Sequence, residues 1–116
     1  AGLVLAGLAV FLTVEGAEAF CVYNNTDREV VAAQTPSNFF KAFRKKIPSG
    51  GNGCCNWQNK DCNPQGKRDS IVKFDVYYFE VMATGIYICR DFEIQAGGDL
   101  TVEGSKGNYK CVRHDY

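Results

Sequence analysis

From Phe20 onward, apolar and polar residues alternate in short runs broken by turn-forming residues, the mark of pleated strands. "FCVYNN" and "REVVAAQ" are β-rich runs separated by Thr26 and Asp27, which predicts an opening hairpin. In "SIVKFDVYYFEVMA", Phe74, Val76, Tyr78 and Met82 share one face. Ile71, Tyr77, Phe79 and Val81 share the other with Lys73 and Asp75. The second half is apolar on both faces, as expected of a central strand. "GIYICRDFEIQ" sets Ile86, Ile88, Phe92 and Ile94 inward and Tyr87, Asp91, Glu93 and Gln95 outward. The turns "AGGD" and "SKGN" then separate "LTVEG" from "YKCVRHDY", which reads as a meander.

One segment is ambiguous. Phe39, Phe40, Phe43 and Ile47 make a helical stripe opposite Lys41, Arg44 and Lys45, with Ser37 as a cap and Pro48 as a stop. The β-rich context pulls the same residues toward a strand. The fold class is therefore mainly β: a small, disulfide-stabilised antiparallel β-sandwich, with a short helix near residues 37–47 left open against a further strand. The opening phrase "FCVYNNTDREVVAA" resembles the first hairpin of thaumatin-like defence proteins, which also begin with a Phe-x-Val-x-Asn strand. Those proteins are longer and richer in cysteine, so no residue role or activity is carried over.

"AGLVLAGLAVFLTV" followed by "EGAEAF" reads as the hydrophobic and cleavage regions of a signal peptide over residues 1–19, with Ala17-Glu18-Ala19 as the small-x-small triplet. The run is short beside the roughly 20 apolar residues of a membrane span. Residues 20–116 then form a single secreted β domain. Retention of 1–19 as a packing or anchoring segment is the alternative. In a secretory setting the six cysteines, Cys21, Cys54, Cys55, Cys62, Cys89 and Cys111, read as a disulfide framework. Adjacent Cys54 and Cys55 are poor partners for each other, so they should bond elsewhere and pin the loop between Gly50 and Gly66. Zinc spacing and C-x-x-C are both missing, so neither a structural metal nor a redox motif is expected. Asp61-x-Asn63-x-Gln65-Gly66 mimics the start of a calcium loop, but Val72 stands where a bidentate Glu is needed. No cofactor is implied.

Thirteen basic and thirteen acidic residues cancel, which gives no global field for nucleic acid. Two local features remain. Trp57, flanked by Asn56 and Gln58 in the clamped loop, reads as packing against a disulfide or as a platform for a sugar ring. Phe39, Phe40, Lys41, Arg44, Lys45 and Lys46 read as a solvated face or as a contact for an anionic membrane, a sulfated glycan or an acidic protein. Asn24-Asn25-Thr26 is a glycosylation sequon, expected to be exposed at a turn. The only histidine, His114, is near the end, and Glu93 and Glu103 look like ordinary strand residues, so an enzyme is not expected. The leading expectation is a non-enzymatic secreted protein that works by surface recognition or extracellular assembly, as a defence, effector or matrix component. Its partner would be an extracellular protein, a glycan or an anionic surface, with self-assembly through edge strands as a further option. The alternatives are a toxin or inhibitor presenting the 50–66 loop, and a small hydrolase using Glu80, Glu93 or Glu103 with His114.

Overall fold

A computed structural model describes residues 19–35, 43–80 and 84–115. Their eight elements are all strands: β1 (Ala19–Thr26), β2 (Val30–Thr35), β3 (Arg44–Ile47), β4 (Asn52–Asn56), β5 (Ile71–Phe79), β6 (Gly85–Gln95), β7 (Asp99–Ser105) and β8 (Asn108–His114). They form two four-stranded sheets, ordered β4-β1-β7-β8 and β3-β2-β5-β6. Period-2 burial drives this arrangement. β5 buries Val72, Phe74, Val76 and Tyr78, while β1 buries Phe20, Val22, Asn24 and Thr26. Between the sheets Phe20, Phe43 and Phe74 meet edge to face, with centroids 5.4–5.7 Å apart. β5 lies between β2 and β6, as its two apolar faces predict.

Three expectations need correction. Over its described part the alternative helix is a strand, because Arg44–Ile47 pair antiparallel with Val30–Ala33. Residues 37–42 lie outside the described residues. In this register Ile47 enters the core opposite Val30, which the sandwich context favours over the helical stripe. The opening hairpin does not form. β1 pairs with β4 and β7, β2 pairs with β3 and β5, and Thr26–Glu29 carries the chain from one sheet to the other. The meander is only half present: β7 and β8 pair as a hairpin, but Ala96–Gly98 crosses between sheets. The small, disulfide-stabilised, mainly antiparallel β fold is as expected, with β1 and β7 as a parallel pair within it. Adjacent strands that both bury a face can satisfy it either side by side or face to face, and here two successive pairs face each other. Gly104 is the residue the β7–β8 hairpin cannot change. Its φ is +123°, and a Cβ there would sit 2.0 Å from the Asn108 carbonyl oxygen.

The first crossing is organised by Asn24, which is fully buried. Its Nδ2 donates to the Arg28 carbonyl at 2.8 Å and to the Ile47 carbonyl, on the opposite sheet, at 2.9 Å. Its Oδ1 accepts from the Thr26 backbone N–H and hydroxyl, at 3.1 and 2.6 Å. All the side chain's polar capacity is thus used inside the fold. The expectation of an exposed glycan acceptor at a turn is therefore not met, because the amide nitrogen has no solvent face and both its hydrogens are engaged.

Just beyond, Asp27 ties this crossing to the β7–β8 turn, accepting from the Tyr109 hydroxyl at 2.6 Å and the Lys106 N–H at 3.0 Å. The hydroxyl, then the N–H, hold the Asp27 carboxyl below its ordinary 3.8, and the same bond raises Tyr109 above 10.0. The signs follow from linkage. The Asp27 contribution is complete above pH 3.8 and is lost as pH falls through its lower folded value. The Tyr109 contribution is complete below pH 10.0 and is lost as pH climbs toward its higher folded value. Tyr109→Phe should flatten both limbs of a plot of urea midpoint against pH. Parallel wild-type and variant curves would show that the bond contributes nothing. The bond itself is solvent-exposed, so the effect is small.

β6 carries two bulges. Phe92 faces Phe74, but Cys89 faces Val76 and Tyr87 faces Tyr77, so Arg90 and Asp91 together oppose the single residue Asp75, and Ile88 is then a second extra residue on β6. Asp91 takes a left-handed φ of +48°, held by its N–H to Asp75 Oδ1 and by Thr35 Oγ1 to its own carboxylate. The first bulge inverts the side-chain alternation and turns Cys89 toward the core, where it reaches Cys111 of β8. The second inverts it again and returns Tyr87 to the outer face.

Candidate functional site

All six cysteines are bridged, as Cys21–Cys54, Cys55–Cys62 and Cys89–Cys111. Three disulfides in a domain this small are typical of proteins from an oxidising, extracellular setting. Cys54 and Cys55 take different partners. Cys21–Cys54 links directly opposed residues of β1 and β4, while Cys55–Cys62 closes the loop that follows β4.

That loop is held from within. The Oδ1 of Asn56 accepts from the Gln58 N–H and that of Asn59 from the Asp61 N–H, both at 2.9 Å. Buried Asn63 donates to the carbonyls of Trp57 and Lys67, at 2.7 and 2.9 Å. Buried Gln34 donates to the Cys62 carbonyl and accepts from the Phe43 N–H, which joins the loop to the second sheet. The asparagines of the loop therefore build turns by bonding their own backbone. Trp57 is half-buried against the core cluster, and its indole nitrogen is enclosed without a hydrogen-bond partner among the described residues. Gln58 is exposed. Of the residues in the calcium-like run, Asn63 spends its amide nitrogen on the Trp57 and Lys67 carbonyls, while its buried Oδ1 has no hydrogen-bond partner among the described residues.

In the basic segment, Arg44, Lys45 and Lys46 are exposed on β3, while Phe39, Phe40 and Lys41 lie outside the described residues. β3 is an edge strand of four residues, and three consecutive cations on such an edge discourage pairing with another chain. Side-chain alternation splits them. Lys45 shares the inner phase with Ile47, its stem lying over Gly53 and its ammonium 5.6 Å from the Phe43 ring. Arg44 and Lys46 project from the outer face. The carboxylates weighed for hydrolysis are dispersed: Glu80 pairs with Arg28, Glu93 with Lys73 and Glu103 with Lys110, at 3.5–3.9 Å.

The outer face of the second sheet holds the feature that sequence reasoning missed. Lys46, Val31, Tyr77 and Tyr87 stand directly opposite one another across four strands. Tyr77 lies 5.5 Å from Phe79 and 5.4 Å from Tyr87. Gly85, opposite Phe79, leaves room for these rings, which sit 3.7 Å from where its Cβ would be. Phe79 and Tyr87 are 51% and 46% exposed, so this is a continuous aromatic surface that is about half open at two of its three rings. Two cations lie over its rings: Arg90 is 4.3 Å from the Tyr87 centroid and Arg44 is 5.9 Å from that of Tyr77. The signal was present in the sequence, because β5 is apolar on both faces while its neighbours cover only one. Neither a known family model nor a curated protein sequence matches the chain.

Proposed function

We propose that this chain is a secreted, non-enzymatic recognition protein, with the outer face of its β3-β2-β5-β6 sheet as its contact surface. The observation that carries this reading is the exposed Tyr77–Phe79–Tyr87 ladder flanked by Arg44 and Arg90. A folded domain gains nothing in stability from leaving two large rings about half exposed, whereas tyrosine and arginine at a flat contact supply area at low entropic cost. Secretion is supported by the apolar run with its Ala17-Glu18-Ala19 triplet, and by cysteines bridged in pairs. The bridges and bulges keep the sheet rigid before contact, so binding orders little that was free.

A binding panel of extracellular glycans, proteins and lipid vesicles tests this. Tyr77→Ala with Tyr87→Ala should weaken the strongest interaction by about tenfold or more at an unchanged melting temperature. Gln58→Ala with Lys60→Ala, both exposed on the clamped loop, should leave it unaltered. The opposite pattern would move function to the loop, in favour of an inhibitor that inserts it into a target.

A further inference from the structure

We propose that the ligand of this face is a linear polyuronate, an acidic polysaccharide with one carboxylate on each sugar. The inference rests on the outer face being the contact surface and adds the chemistry of what lies on it. Phe79 and Tyr87 stand about half exposed on the open sheet face, and a cleft borders the sheet at its far end, around Thr35, Ile71 and Lys73. Small ligands need concave sites, whereas a polymer gathers affinity from several shallow contacts along an extended chain. With neighbouring strands about 4.8 Å apart, the Lys46–Val31–Tyr77–Tyr87 row runs for about 14 Å, long enough for a few sugar units.

Charge on this face is unevenly spread although the chain as a whole is neutral. Arg44, Lys46 and Arg90 have no carboxylate within salt-bridge distance among the described residues. The acids of the same face keep their charge but lie toward its Thr35 end, where Asp75 accepts from the Asp91 N–H, Asp91 from the Thr35 hydroxyl, and Glu93 pairs with Lys73. Three unmatched cations beside three rings complement a chain whose sugars present apolar C–H faces to the aromatics and anions at their rims. Two of the three are arginines, whose planar fork meets a carboxylate through two parallel hydrogen bonds.

The test is affinity electrophoresis of the full chain through gels holding polygalacturonate, heparin or dextran, with sedimentation on phosphatidylserine vesicles alongside. Retardation by polygalacturonate is expected, falling with added salt, and neither dextran nor the vesicles should bind. Tyr87→Ala and Arg90→Gln should each weaken retardation about tenfold. Arg44→Gln with Lys46→Gln and Arg90→Gln should abolish it, while Lys60→Gln with Lys67→Gln should not. Retardation by polygalacturonate that is the same in all variants overturns both this proposal and the contact surface it rests on. Binding to heparin, dextran or vesicles in place of polygalacturonate, lost on the same variants, overturns the polyuronate and leaves the surface standing. No binding to any of the four probes also overturns it.

Discussion

Replacing Asn24 with Asp is expected to cost about 3–5 kcal/mol, enough to leave a domain of this size largely unfolded. The amide is fully buried and its two N–H groups hold carbonyls on both sheets. A carboxylate in that place turns two donors into acceptors that face carbonyl oxygens, and it must either carry a buried charge or stay protonated. Asn25→Asp, one position along on an exposed side chain, should change stability by less than about 0.5 kcal/mol. Urea denaturation of the two variants makes the comparison, and similar midpoints would show that the Asn24 bonds are dispensable. The same geometry predicts that intact mass will show no glycan on Asn24, since a sugar on Nδ2 would break at least one of its two donor bonds.

Removing Cys89–Cys111 as the Ala pair is expected to cost about 3 kcal/mol and to weaken binding through the outer face as well. The bridge spans 22 residues, and restricting a loop of that length in the unfolded chain is worth about 3 kcal/mol. It also fastens β6 to β8 across the sandwich, only two residues from Tyr87. Without it the second bulge loses its anchor, and the register that sets Tyr87 against Tyr77 is free to slip. Removing Cys55–Cys62, separated by seven residues, should cost less, about 2 kcal/mol, and leave the face intact. Equal losses of binding from the two deletions would mean that the disulfides act only through global stability.

Strand positions and their inward faces were legible in the sequence, because period-2 alternation reports burial directly. Phe74, Val76 and Ile94 entered the core as expected. Partners were not legible. Alternation says which way a side chain points, and is silent on whether the strand after a turn lies beside its predecessor or across from it. Thr26 and Asp27 have ordinary hairpin composition. What makes them a crossing is Asn24, whose bonds reach Ile47, 23 positions away. As part of a sequon it drew attention to its surface chemistry, although its role is internal. Trp57 was conspicuous by rarity and lies half-buried against the core. Tyr87 was read correctly as outward but was grouped with polar neighbours. Its meeting with Tyr77 depends on two bulges that no simple alternation encodes.

The parallel pairing of β1 with β7 bears on how the chain comes to be folded. Cys21 lies alongside Asp99, 78 positions further on, so β1 has no permanent neighbour on one flank until β7 exists. Pairings this distant in sequence form slowly, because a long loop must close before any contact rewards it. The β4-β1-β7-β8 sheet therefore closes late, and until β7 arrives β1 is held on one flank alone, by β4 and the Cys21–Cys54 bridge.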